Sequence, residues 1–556
     1  MFLKSDKESW GRIFISKIAL ISCFVIPVLL ITSPNIIHTI FLEEDGGIIK
    51  VLQRIIFFLL LFLFPLVLFH KNLKLYLYLL SPFLIIAIFV DYLHIYLKVS
   101  LDDDVFMLLW DTNTREATEF LSNVPIYFLP YAIIAAIIYI ICVRKTPKSM
   151  DRKTAVVISS FSILIFFSFP AVRFGFKNYK HNLKESTWHF YPVNLLKTFF
   201  QAKEIFEFRE QYEESTKNFS FNTKKKTEAK EREIHLLVIG ESSRRDHWGV
   251  YNYERSTSPY MSKRDLIVFT DATASGHITM EAVPIILTRG TARDFDRQRH
   301  EKGILHAFSE AGFKTCFIDA QHTGREDIDI HGREAQQFIS VATAKSFEAK
   351  YEDGIPSILS KILKENKKSK IFIVIHTFGS HWRYDLRYPP AFDIFKPSMK
   401  QEFANSSDKS KKNILINTYD NTIMYSDHIL EELIRVLDSA TCISTLTYIS
   451  DHGENLLDDE RGYSIHAQAT KETADIPLFI WSSQKYKNAY PEKITIMKEN
   501  KNKKISSENM FYSVLDIADL QIKDSIPEKS FASRSFAEAE RYMITEKGVK
   551  PYASLK

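Results

Sequence analysis

Carboxylates, imidazoles and hydroxyls collect in a few short stretches of this chain. Glu241 stands in VIGESSRRDHW, Thr279 in ASGHITMEAVPIIL, His376 and His381 in IHTFGSHW, Asp451 and His452 in YISDHGEN, and His466 in the following GYSIHA. Asp, Glu and His side chains that converge form a ligand set suited to Zn²⁺. A Thr or Ser hydroxyl beside such an ion becomes a usable nucleophile. Singly, each residue has a plainer reading. Glu241 and Asp451 would serve equally as helix caps, and a lone His is more often a surface or satisfied core residue. Ser242, Ser243 and Ser275 compete with Thr279 by chemistry alone, and His277 and Glu281 read either as partners of Thr279 or as ordinary helix-start residues.

The elements that would bring these residues together alternate in type. Short apolar runs at Ile234–Gly240, Ile267–Ala272, Lys314–Ala320, Lys370–Thr377, Ser444–Ser450 and Ile476–Trp481 predict buried strands. Helix-like stretches such as DGIPSILSKILKE and TYDNTIMYSDHILEELIRVLDS lie between them. Such alternation predicts an α/β domain over 233–556, with a mostly parallel sheet sandwiched by helices. Ligands of such sheets gather beyond the carboxyl ends of the strands. Glu241, His376, His381, Asp451 and His452 all fall there.

The first 174 residues are of another kind. Over all 556 residues, 72 Lys+Arg against 67 Asp+Glu give a net charge of +5, too even for a dedicated nucleic-acid binder. A mean hydropathy of −0.11 suggests an ordinary soluble protein, yet 43 Phe against 17 Gly is an odd mixture. The aromatic content excludes disorder, and four Cys are too few for a disulfide scaffold. The apolar excess lies in five runs, Ile13–Ile31, Val51–Phe69, Leu73–Leu97, Val124–Val143 and Ala155–Val172. A hydrocarbon core takes about 20 helical residues to cross, so a multi-span α-helical membrane domain over 1–174 is predicted. Basic loops (Lys4, Lys7 and Arg12; Lys71 and Lys74; Arg144 to Lys153) alternate with acidic ones (Glu43–Asp45, Asp102–Asp104). The positive-inside rule then places the N-terminus in the cytoplasm and the α/β domain outside. Residues 175–232 read as a connector, with Trp188, Phe190, Tyr191, Leu195, Leu196, Phe199 and Phe200 in an amphipathic stretch. That stretch suits a helix lying in the membrane interface, or equally one packed on the soluble domain. The lysine-rich segment Phe221–Glu233 reads as a solvated hinge.

In this order, VIGESSRRDHWGVYNYERSTSPYM, ASGHITMEAVPIIL, HTFGSHW and YISDHGENL with its later IHA resemble the phosphoethanolamine transferases of Gram-negative bacteria, members of the alkaline phosphatase/sulfatase superfamily. The resemblance extends over nearly the whole chain. It implies a multi-pass inner-membrane enzyme, a monomer with a periplasmic catalytic domain. It implies Glu241, Thr279, Asp451 and His452 as ligands of one tightly held Zn²⁺, and Thr279 as nucleophile. His381 and His466 match histidines near the phosphoryl group or a second zinc, with His376 close by. Thr112 and Glu116 match substrate-facing residues, although Leu108 stands where the family usually has Asn. Members that modify lipid A carry Cys around the nucleophile, where this chain has Ser275 and Ile285; only Cys316 and Cys442 lie outside the apolar runs and offer one bridge. The disulfide-poor pattern resembles the branch that modifies the lipopolysaccharide core.

The implied reaction is a two-step transfer. Thr279 attacks the phosphorus of phosphatidylethanolamine and diacylglycerol leaves. A lipopolysaccharide acceptor, on lipid A or the core, then takes the phosphoethanolamine; a periplasmic glucan or a protein glycan is also compatible. The C/S-x-P-x-R setting that sulfatases need for formylglycine is absent around Thr279. The alternatives are a phosphoglycerol transferase that uses phosphatidylglycerol and a catalytically inactive membrane scaffold.

Overall fold

A computed structural model describes residues 23–41, 48–97, 128–174, 191–227, 231–321, 326–341, 351–402, 404, 408–466 and 468–556. Thr112, Glu116 and Leu108 lie outside the described residues, as do Trp188 and Phe190. The chain divides into two units, Met1–Glu207 and Phe208–Lys556.

The C-terminal unit is built on a seven-stranded sheet: β1 (Glu233–Gly240), β2 (Leu266–Phe269), β3 (Lys314–Asp319), β4 (Gln337–Ser340), β5 (Ile371–His376), β6 (Ile443–Ser450) and β7 (Leu478–Ser482). Their order is β2-β7-β6-β1-β5-β3-β4. Central β1 pairs in parallel with β5 and β6, and is buried along its whole length. Continuous apolar runs are what a parallel sheet covered on both faces requires. Alternate residues serve opposite cores. Ile234, Leu236 and Val238 pack with Ile358, Leu359, Leu433 and Leu437. Leu237 and Ile239 pack with Val283, Ile304 and Phe308 from the other side. Helices Ile355–Glu365 and Lys412–Ala440 therefore cover one face, and Thr279–Leu287 and Ile304–Glu310 the other.

Two features of the sheet differ from the sequence reading. β7 runs antiparallel to both β6 and β2. Among the described residues between β6 and β7 lie a short hairpin, Asn455–Leu456 with Ser464–Ile465, and the four-residue helix Lys471–Ala474, too little for the crossover that a parallel neighbour needs. β4, Gln337–Ser340, extends the sheet at an edge where only half-buried positions are required, so its short QFIS carried no apolar signal.

The lysine-rich segment before β1 is not a solvated hinge. Phe221 is buried in the core, and Lys224–Lys225 pairs with Leu520–Gln521. Lys225 Nζ reaches Glu233 Oε2 at 2.6 Å and Lys226 Nζ reaches Asp516 Oδ1 at 2.7 Å. Partners distant in sequence neutralise a charge run that, read locally, looks solvated. The division of the chain accordingly falls earlier, inside helix Val193–Thr216, which exposes Leu196, Phe199 and Phe200.

The N-terminal unit is helical: Ser33–Phe41, Ile48–Leu63, Leu66–Phe69, Leu73–Tyr92, Phe128–Lys145 and Arg152–Phe174. Among the described residues two helices, Leu73–Ile95 and Phe128–Lys145, are long and apolar enough to cross a membrane, or three spans if the pair Cys23–Ile31 and Ser33–Ile40, bent by 54°, counts as one. The expected run Val51–Phe69 is interrupted at Pro65, which has no N–H to continue the helical ladder. All four cysteines are free, so Cys316 and Cys442 form no bridge.

Candidate active site and metal centre

Glu241 follows β1, and Asp451 and His452 follow the adjacent β6, so the sheet delivers all three to one edge. They are fully buried, and one ligand atom from each lies within 4.8 Å of the others. The loop after β1 turns sharply at Ser242, whose φ is +54°. Tyr419 holds it there, its hydroxyl donating to Ser242 O and accepting from Arg244 N. The loop after β5 passes so close that a Cβ on Gly379, with φ +45°, would stand 3.0 Å from the Glu241 backbone. Only glycine fits that approach.

Thr279 is the first residue of its helix, the end at which a helix leaves N–H groups without intrahelical acceptors. Its Oγ1 donates to Glu241 Oε2 at 3.1 Å and lies 3.4 Å from His452 Nε2. The ring of His452 stands 4.5 Å from that of His466, and His466 stands 6.0 Å from His381. Thr279, Glu241, Asp451, His452 and two further imidazoles thus form one contiguous cluster.

The electrostatics fit a divalent cation. Asp451 Oδ1 accepts from Ser242 N at 3.0 Å and His452 N at 2.7 Å, while its buried Oδ2 has no hydrogen-bond partner among the described residues. His452 Nδ1 meets Gly453 O at 2.8 Å, which leaves Nε2 to face the carboxylates. Burial, with His466 beside it, pushes His452 down to about 3, so its imidazole is neutral. Burial raises Glu241, but His452, His381 and His466 outweigh it and hold the carboxyl below its ordinary range. Burial and the neighbouring Glu241 drive Asp451 well above it. Two carboxylates this close ionise together only when positive charge is supplied between them. With one nitrogen and hydroxyl and carboxylate oxygens, the donor set suits Zn²⁺.

A family model described as Sulfatase matches residues 234–520. The chain belongs to the sulfatase family. Phosphoethanolamine transferase EptA of Helicobacter pylori is 30% identical over 294 residues, covering 51% of this chain and 53% of that protein. EptA of Salmonella typhimurium is 28% identical over 312 residues, covering 52% and 54%. The matched region thus spans about half the length of these curated relatives. Phosphoethanolamine transferase EptC of Escherichia coli strain K12 is 24% identical over 478 residues, 79% of each chain. The crystal structure of the C-terminal periplasmic domain of Escherichia coli EptC, a complex with Zn, superposes with a TM-score of 0.54 at 24% identity, covering 60% of this chain and 96% of that one. The integral membrane EptA of Neisseria meningitidis gives 0.50 at 19% identity, over 93% and 97% of the chains. Those structures establish the fold of this sulfatase-family chain: an α-helical membrane part joined to an α/β part.

Not every residue singled out from the sequence joins the cluster. His376 is fully buried within β5, and its Nδ1 lies 3.2 Å from Asp319 Oδ1. Ser242 Oγ donates to Glu241 Oε1 at 2.7 Å, and Ser243 Oγ accepts from Trp248 Nε1 at 2.8 Å. Both hydroxyls are therefore committed to holding the ligand loop. His277 and Glu281 pair with each other at 3.0 Å around the start of the Thr279 helix. Gln321 was missed: its Nε2 donates to Glu241 Oε2 at 2.6 Å and to Thr377 O at 2.9 Å. It lies just beyond the end of β3, and its uncharged amide gave no sequence sign of the carboxylate it meets.

Proposed function

We propose that the protein transfers phosphoethanolamine from phosphatidylethanolamine to a lipopolysaccharide acceptor through a covalent Thr279 intermediate. The observation that carries this reading is the Thr279 hydroxyl at a helix N-terminus, 3.1 Å from Glu241 and 3.4 Å from His452 inside the ligand cluster. Similarity to transferases whose names specify phosphoethanolamine supports the group transferred. The Neisseria meningitidis protein's name specifies lipooligosaccharide, which supports a glycolipid acceptor. The four free cysteines are in keeping with a core acceptor. Apolar helices and basic loops support an inner-membrane protein with a cytoplasmic N-terminus and a periplasmic Phe208–Lys556 unit.

Glu241, Thr279, Asp451 and His452 would hold one Zn²⁺, and His381 with His466 would lie near the phosphoryl group or a second ion. When bound, Zn²⁺ lowers the pKa of the Thr hydroxyl and polarises a phosphoryl oxygen. The helix N-terminus offers its N–H groups to the other phosphoryl oxygens. Thr279 Oγ1, its proton already lost to bulk water, forms a bond to phosphorus as the bond to the diacylglycerol oxygen breaks, and the second step returns it as the same alkoxide. An imidazolium, His381 or His466, protonates that oxygen as it leaves. The same imidazole, now neutral, takes the proton of the acceptor hydroxyl. The acceptor oxygen attacks phosphorus, and Thr279 is released.

The test supplies full-length protein in lipid vesicles with phosphatidylethanolamine and follows diacylglycerol. Release should stop with a chelator and return with zinc. Release from phosphatidylglycerol in place of phosphatidylethanolamine would defeat the reading in favour of phosphoglycerol transfer, and no release from either would favour the scaffold.

A further inference from the structure

Ionisable side chains are costly inside an apolar helical bundle, and those that persist there mark functional sites. In the N-terminal unit Asp91, near the end of helix Leu73–Tyr92, is fully buried. Its Oδ2 accepts from Ser33 Oγ at 2.6 Å and from the Tyr131 hydroxyl. Its Oδ1 is buried and has no hydrogen-bond partner among the described residues. His94 lies three positions on, its ring edge-on to that of His38 at 5.3 Å. It is 4% exposed and its Nδ1 has no hydrogen-bond partner among the described residues either. The helix passes into a π-helical turn at Leu93–Leu97, a form frequent at functional sites. Aromatic rings wall the carboxylate's surroundings: Phe128 lies 5.3 Å from Tyr131 and 5.4 Å from Tyr92. Ser33 and Tyr131, which hold Oδ2, are themselves only half-buried.

We propose that Asp91 receives the primary ammonium of an ethanolamine phospholipid, so that the membrane unit selects the donor. The proposal rests on the transferase reading and adds a second recognition site to it. A buried carboxylate with one oxygen unsatisfied, beside hydroxyls and aromatic faces, matches a group that carries N–H donors and positive charge. Phosphatidylglycerol has no cation to offer it. Phosphatidylcholine has the charge but no N–H.

The experiment uses full-length protein in detergent micelles with equal amounts of phosphatidylethanolamine, phosphatidylglycerol and phosphatidylcholine, and counts retained lipid by native mass spectrometry. Wild-type protein should retain phosphatidylethanolamine about tenfold over the other two, and Asp91→Asn should erase the preference. Thr279→Ala, which lacks the proposed nucleophile, should keep it. Retention needs no turnover, so a missing Thr279 adduct would refute the transfer chemistry while this result still judges Asp91. If Asp91→Asn lowers the unfolding midpoint too far to be purified, Tyr131→Phe keeps the ring and removes one donor, and should narrow the preference about fivefold. Wild-type preference in the variants, or equal retention of phosphatidylethanolamine and phosphatidylcholine by wild type, would overturn the proposal.

Discussion

Gln321 aims the Glu241 carboxylate. Its amide donates to Glu241 Oε2 while the Ser242 hydroxyl donates to Oε1, so both oxygens are held in place. Its own backbone N–H donates to Asp319 Oδ1, which in turn meets His376. His376 thus supports the site from behind, through Asp319 and Gln321. Removing an outer partner of a metal ligand costs about 10- to 100-fold in affinity or activity. Gln321→Leu should weaken zinc binding by that factor in a chelator competition, with the fold intact by thermal unfolding. That Glu241, Asp451 and His452 cluster was legible in the sequence because acids and imidazoles at strand ends are conspicuous. Gln321 was not, because an uncharged amide announces no chemistry until its partner is known. His376 has a ligand's residue type, but only the register of β5 shows that it pairs with Asp319.

At the scale of elements, β1 binds the site to the stability of the whole α/β unit. Glu233 opens that strand, fully buried, with Lys225 at 2.6 Å and His235 at 3.3 Å. Burial raises its carboxyl, but His235 and Lys225 outweigh this and bring it from 4.5 down to about 2. A depressed carboxylate stabilises the fold fully above its unfolded pKa, and that contribution is lost as pH falls through the folded one. Glu233→Gln should therefore cost about 3 kcal/mol near neutral pH and should flatten the loss of stability between pH 4.5 and about 2, as measured by denaturant titration at several pH values. An unchanged acid profile would mean that the pair contributes nothing. All six strands expected from apolar runs exist, since a doubly covered sheet writes itself as such runs. Strand direction is not written in any run: β7 turns back because the chain after His452 is spent on the site rather than on a crossover helix. The Phe221–Glu233 segment misled for the opposite reason, its charges being satisfied by Asp516 and by Glu233 itself.

The chain as a whole joins apolar helices to a sulfatase-family α/β fold, and the near-zero mean hydropathy of −0.11 is the average of the two. Both proposed substrates are lipids, and confinement to their plane raises their effective concentration. A fragment from Phe208 to Lys556 should keep its zinc stoichiometry and cooperative unfolding, yet lose about a hundredfold or more in turnover on vesicles. A fragment starting at 233 should unfold at lower temperature, because it lacks Phe221 from the core and Lys225 from Glu233. Full turnover by the Phe208 fragment would remove the role assigned to the membrane unit. The central claim is the covalent step. Full-length protein incubated with phosphatidylethanolamine without acceptor, then measured by intact mass and peptide mapping, should carry one phosphoethanolamine on Thr279, absent from Thr279→Ala and discharged by added lipopolysaccharide. No adduct on wild type, or an adduct that persists in Thr279→Ala, would contradict the account.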